Sequence, residues 1–224
     1  MKDLVVISAG LSVPSSTRQV ADTISKAVES AVGGRGEQLT VHTIELRELA
    51  MDLAQHMTTG LPTAKLDEIK QLLSDAAGLV AVTPTFKASY TGLFKMFFDI
   101  LDTDALNGMP TIIAATAGTA RHSLVTEYAM RPLFTYLRAV VVPTSLFAAT
   151  DDFGGAEGSE FQRRVSRAAA ELAELMVDTG SGSVDGLAGA VTEAAPRRRK
   201  AGVNLEDDFV PFSELIKGHD GTGQ

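Results

Sequence analysis

The 224-residue chain contains no cysteine. That excludes disulfides, thiolate metal sites, cysteine-ligated iron–sulfur clusters and cysteine nucleophiles. Tryptophan is also missing, and the four histidines are too widely spaced to suggest a histidine-based zinc site. Basic charge is in deficit. Lys and Arg total 20 against 28 Asp and Glu, a net charge of −8, which argues against nucleic acid or an anionic membrane as a partner. No apolar run approaches the roughly 18 residues needed to span a bilayer. The stretch Leu4–Ile7 is too short for a signal-peptide core, so the expected location is the cytoplasm.

What remains is an ordinary globular composition, 45% apolar and 21% charged, with enough material for a real core. The length fits one domain plus a tail. The expected domain is 1–178. From 179 to 224 the chain changes character, with Gly180-Ser181-Gly182-Ser183, the basic run Arg197-Arg198-Arg199-Lys200 and a terminal Gly221-Thr222-Gly223-Gln224. This reads as a flexible tail. Within it, Phe209-Val210-Pro211-Phe212 is the one segment apolar enough to dock on the core or on a neighbouring subunit.

Short apolar runs alternate with helical patterns up to residue 178. Strands are expected at Leu4–Ile7, Leu39–Ile44, Leu79–Val82, Thr111–Ala115 and Val140–Phe147, the last bent or bulged at Pro143. The second alternates apolar and polar residues, as a strand nearer an edge does; the other clean runs read as buried on both faces. Helices are expected over 17–31, 63–76, 90–102, 121–137 and 158–178. This alternation predicts an α/β fold, a doubly wound five-stranded parallel sheet in the flavodoxin-like order 2-1-3-4-5. Ligands of such sheets bind at the carboxyl ends of the strands, so the loops there are the candidates for function.

Three loops stand out. The first, Ser8 to Arg18, gathers Ser12, Ser15, Ser16 and Thr17 where a helix begins. Hydroxyls beside the free N–H groups of a helix start suit a phosphate, and they are equally the signature of a plain helix cap. Neither Gly-Lys-Ser/Thr nor Gly-x-Gly-x-x-Gly is present, which disfavours nucleoside triphosphate hydrolysis and the usual dinucleotide fingerprint. The second loop, Thr83 to Lys95, has a stiffening Pro84, planar Phe86 and Tyr90, and the charge of Lys87. Phe86 packed into the core and a solvated Lys87 is the plainer reading. The third, Thr116-Ala117-Gly118-Thr119-Ala120-Arg121-His122, is small enough for a flat group to approach its backbone, and it would also serve as an ordinary turn.

Taken together, Thr83–Gly92 and Ala115–Leu124, the latter continuing into Tyr128-Ala129-Met130-Arg131-Pro132-Leu133, resemble the NAD(P)H-dependent FMN reductases. The nearest resemblance is to the flavin reductases of two-component monooxygenases. It covers 1–178 and implies hydride transfer from NADPH or NADH to FMN, with reduced flavin passed to a partner flavin-dependent monooxygenase. It implies no nucleophile, metal or obligatory side-chain acid. By position, Ser15, Ser16 and Thr17 would grip the flavin phosphate, assisted by Ser12 and the Arg18 backbone. Pro84, Thr85, Phe86 and Lys87 would line the ring, and Thr116, Ala117, Gly118 and Thr119 would meet its pyrimidine side, with His122 shaping the site. Relatives often carry Gly-Ser-x-Arg where this chain has Ala9-Gly10-Leu11-Ser12, which removes a serine and a positive charge and suits a flavin that is released. Some relatives also carry a π-bulge at the tyrosine matching Tyr128 and use that helix between subunits. This implies a homodimer or homotetramer through 121–137, though Tyr128 reads equally well as a core residue. A flavodoxin-type electron carrier and a reductase that keeps its FMN and reduces quinones or other acceptors are the competing readings.

Overall fold

The computed structural model describes residues 1–153 and 155–177. The proposed tail, with Arg197–Lys200 and Phe209–Phe212, lies outside the described residues. Strand β1 (Lys2–Ser8) lies inside the sheet, paired in parallel with β2 (Leu39–Glu45) on one side and with the central β3 (Gly78–Phe86) on the other. Beyond β3 lies β5 (Pro110–Ala117), also parallel. The last position is shared by β6 (Val140–Val141) and β7 (Leu146–Ala149), which pair in parallel with the start and end of β5. These two pieces are one strand interrupted around Pro143, as the sequence predicts, and the order β2-β1-β3-β5-β6, with β7 continuing β6, is the flavodoxin-like 2-1-3-4-5 expected for five main strands. A two-residue strand, β4 (Ser89–Tyr90), folds back antiparallel on the end of β3. The alternating β2 is indeed an edge strand.

Successive side chains of a strand point to opposite faces, so each central strand feeds two cores. Val5, Ile7, Leu79, Ala81, Ile113 and Ala115 face one layer of helices: α2 (Ala50–Thr59), α3 (Ala64–Asp75), α4 (Gly92–Asp99) and α5 (Arg131–Tyr136). The aromatic stripe of α4 is central there. Phe98 lies 4.7 Å from Phe94 and 4.9 Å from Phe134 between ring centroids. Leu4, Val6, Val80, Val82, Ile112 and Ala114 face α1 (Ser16–Gly33) and α6 (Gly155–Met176). Hydroxyl caps start three of the helices, Ser15 for α1, Thr63 for α3 and Thr91 for α4.

Two expectations need correction. A short 3₁₀ turn (Leu46–Leu49) and α2 follow β2 where no helix is foreseen. Only Leu53 of α2 is fully buried, so the segment shows no apolar stripe; Gly60 closes it in a left-handed conformation (φ 72°). The single helix over 121–137 is replaced by a 3₁₀ turn at Ala120–His122, a π-helical segment at Thr126–Met130 and the short α5. The Arg131 N–H reaches back five residues to the Thr126 carbonyl. Pro132 has no N–H to give the Tyr128 carbonyl, so the ordinary four-residue ladder is broken there.

The break at Pro143 frees backbone groups, and side chains from both faces take them up. The Arg131 guanidinium donates to the Val142 and Pro143 carbonyls, each at 3.3 Å. Thr144 donates its N–H and its hydroxyl to Glu171 on α6, at 2.9 and 2.7 Å.

Candidate functional site

The carboxyl ends of β1, β3 and β5 emerge side by side, so the three loops converge on one rim. Register is explicit: Pro84 of β3 lies opposite Thr116 of β5. Loops one and three are joined by a buried hydrogen bond between the Thr17 and Thr116 hydroxyls at 2.9 Å, across 99 residues of chain. This bond is the strongest sign that the two loops form one site. Leaving one such hydroxyl buried without its partner costs about 1–3 kcal/mol.

In the first loop Ser15 is the N-cap of α1, and its oxygen accepts the Arg18 backbone N–H at 3.2 Å. Two expected phosphate donors are therefore already engaged, the Arg18 N–H by Ser15 and the Thr17 hydroxyl by Thr116. Both bonds lie at the first turn of α1, where the expected phosphate grip would form. Ser12 and Ser16 are exposed at its mouth. Gly10 was not foreseen as a site residue. A Cβ there would lie 2.0 Å from Ser15 Oγ, 3.1 Å from Ser15 Cβ and 3.2 Å from Thr17 Cβ. Only glycine lets the loop pass this close to the cap. The Ser8 hydroxyl, at the last residue of β1, is buried and unpartnered.

The Arg18 side chain is committed elsewhere. It binds Asp22 at 2.7 Å and Glu45 at 2.6 Å, and these carboxylates, the Asp22 hydrogen bond foremost, hold its pKa above the usual arginine value against the cost of burial. Arg47 binds the other Glu45 oxygen at 2.7 Å. Ser12, Val13, Pro14 and Ser15 share a shallow cavity of about 220 Å³ with Arg18, Glu45 and Arg47. Glu45 and Arg47 escaped the sequence reading; the available signal was their place at the carboxyl end of a parallel strand.

The second loop is a tight hairpin. Thr85 pairs with Tyr90 and Phe86 with Ser89, which leaves Lys87 and Ala88 as the turn with φ of 50° and 66°. Left-handed geometry in two non-glycine residues is costly and occurs where surrounding structure imposes it. Phe86 is half exposed and Lys87 exposed, so the phenylalanine is not a core residue. Tyr90 instead packs inward on Phe94, at 5.7 Å. The Thr85 hydroxyl is buried and unpartnered, a second polar atom with nothing to bind at this rim. The Thr83 hydroxyl accepts the Thr91 N–H at 3.2 Å and anchors the hairpin's return into α4.

In the third loop Thr116 is buried, Ala117 half-buried, and Gly118 and Thr119 exposed. A Cβ on Gly118 would meet nothing within 4 Å, so the loop faces open space. His122 is half-buried at the end of the 3₁₀ turn. The π segment behind it is tethered: Glu127 accepts from Arg131 at 2.6 and 3.0 Å and from the Ser145 hydroxyl at 2.6 Å. The Arg131 hydrogen bonds, aided by Ser145, hold the Glu127 carboxyl below its usual pKa against partial burial. A depressed folded-state pKa means that Glu127 contributes stability above its unfolded value, and that this is lost as pH falls through the folded one. Thermal unfolding followed from about pH 5 to pH 3 is expected to lose stability less steeply in Glu127→Gln than in the native chain.

Among the described residues no group of three or more His, Asp or Glu is placed to hold a metal ion, and no helix is long and apolar enough to cross a membrane. The cradle does fit a flat anionic ligand such as FMN. It combines a capped helix start, two unpartnered hydroxyls, a projecting phenylalanine and an open glycine.

Comparison with known proteins identifies relatives of the whole fold. NADH-dependent FMN reductase SfnF of Pseudomonas putida is 32% identical over 163 residues, covering 71% of this chain and 86% of the relative. An oxidoreductase from Corynebacterium diphtheriae, solved by X-ray crystallography, shares 69% identity with a TM-score of 0.78 over 80% of this chain and 98% of that one. The apo form of the NADH:FMN oxidoreductase EMOB has 28% identity and a TM-score of 0.65, over 75% of this chain and 89% of its own. The family profile described as NADPH-dependent FMN reductase matches residues 2–154, which span all three loops and the bond between Thr17 and Thr116. By sequence and by architecture, the chain belongs to the NADPH-dependent FMN reductase family.

Proposed function

We propose that the rim formed by the three loops binds FMN beside NADPH or NADH, and that the chain releases reduced flavin to a flavin-dependent monooxygenase. The observation that carries this reading is the Thr17–Thr116 bond, which locks the expected phosphate loop to the expected pyrimidine loop. When bound, FMN supplies the acceptor for a hydride from the nicotinamide. The protein's part is alignment and electrostatics. The α1 start, with Ser12 and Ser16 at its mouth, takes the phosphate on N–H and hydroxyl donors. Pro84 and Thr85 present a stiff strand end, and Phe86 and Lys87 project along the ring. Thr116, Ala117, Gly118 and Thr119 bring backbone close to the pyrimidine side, and His122 closes that end.

Both substrates are cytoplasmic metabolites, which supports a cytoplasmic location. Residues 1–178 form the catalytic domain in this reading.

Leu124, Tyr128 and Tyr136 are strongly exposed around the π segment and α5, with Tyr128 79% exposed. That exposure favours the subunit contact over the core reading, and we place a homodimer or homotetramer interface there. Tyr128→Glu is expected to shift the protein towards monomer in sedimentation at micromolar concentration; an unchanged sedimentation coefficient would remove this segment from the interface.

The deciding experiment counts bound flavin after purification, then varies FMN, FAD and both nicotinamides at steady state. A protein that loses its colour and oxidises NAD(P)H in proportion to added FMN matches the proposal. Persistent yellow colour with turnover of quinones and no added flavin would replace it with a tight flavoprotein. Binding of FMN with no nicotinamide oxidation would leave an electron carrier.

A further inference from the structure

Glu45 closes β2 directly opposite Ser8, where the first loop leaves the sheet. Its side chain is only 17% exposed and holds a guanidinium on each oxygen, Arg18 at 2.6 Å and Arg47 at 2.7 Å. Asp22 takes the Arg18 Nε at 2.7 Å, and Glu48 lies 3.6 Å from Arg47. Two cations are thus surrounded by three carboxylates, and the cluster carries a net negative charge. It shares its cavity with Ser12, Val13, Pro14 and Ser15 of the phosphate loop. An incoming phosphate would meet two arginines already neutralised, and a carboxylate it must approach.

We propose that Glu45 is the residue that sets affinity for the flavin's phosphate, by holding Arg18 and Arg47 in ion pairs and keeping both cations from the anion. The inference rests on the FMN reading of the rim. It gives a physical means for the enzyme to treat flavin as a substrate. With Arg18 and Arg47 held in ion pairs, the first loop offers the phosphate its N–H and hydroxyl groups, and the anion leaves readily. Removing the Glu45 charge while keeping its shape takes the cluster from one net negative charge to none and loosens both arginines beside the loop, Arg47 most, since its other carboxylate, Glu48, lies 3.6 Å away.

The test compares FMN with riboflavin, which lacks the phosphate, on the full chain by calorimetry or fluorescence quenching. Glu45→Gln is expected to tighten FMN by about tenfold, the scale of one unit charge at close range in a half-solvated site. Riboflavin affinity is expected to stay the same. Native FMN affinity is expected to change little with added salt, whereas FMN affinity in Glu45→Gln should fall as salt screens the released cation. Unchanged or weaker FMN binding in the variant overturns the proposal, and so does parallel tightening of riboflavin. If the variant does not fold, the native chain decides alone: steep loss of FMN affinity with salt would mean a free cation at the phosphate, against the proposal. A native chain that binds neither flavin would sink the underlying reading and this inference with it. One that binds FMN but ignores the Glu45 change would sink only the inference.

Discussion

A valine at position 10 is expected to lower FMN affinity on the order of a hundredfold and to destabilise the fold as well. The new Cβ would sit 2.0 Å from Ser15 Oγ, and a hydroxyl can rotate away. The Cβ atoms of Ser15 and Thr17, at 3.1 and 3.2 Å, cannot retreat without moving the first turn of α1. Rotating Ser15 away forfeits the cap on α1, worth about 1 kcal/mol. Moving the turn strains the Thr17–Thr116 bond that ties the loops together. Calorimetry with FMN and thermal unfolding read the two losses separately. A Gly10→Val protein with native FMN affinity would show that the first loop is not the phosphate site.

Gly118→Trp is expected to separate the two quantities: no measurable loss of thermal stability, with FMN binding reduced by about two orders of magnitude. The glycine is exposed, has no positive φ, and offers open space to a side chain, so the fold does not need it. An indole there would fill the volume that the flavin ring is proposed to enter. Unchanged FMN affinity in a stable Gly118→Trp protein would refute the placement of the ring. Together the two glycines separate a residue the loop needs from a residue the ligand needs.

Much of the fold was legible because it depends on near neighbours in sequence. Leu4–Ile7, Leu79–Val82 and Thr111–Ala115 are apolar without alternation, as strands covered on both faces must be, and Pro143 announced the gap between β6 and β7. Helix α2 was not legible, because a helix that buries only Leu53 leaves no stripe. The reorganisation of 121–137 turns on one missing N–H at Pro132 and on a five-residue hydrogen bond, which residue patterns do not show, although the family resemblance pointed to a bulge at Tyr128. In the site, the three loops were visible as composition at strand ends. Their wiring was not. The partners Thr17 and Thr116 are 99 residues apart, and Arg18 and Glu45 are 27 apart, so only folding reveals which hydroxyl and which cation are already spent.

The gap at Pro143 also interrupts one edge of the sheet. An outermost strand with free backbone groups is a template on which another chain can add. Here that boundary runs for two residues, stops, and resumes for four, so no long flat stretch is offered. At the stop, Arg131 occupies two carbonyls and Glu171 one N–H. A foreign strand crossing the break would have to displace charged groups from both faces of the sheet.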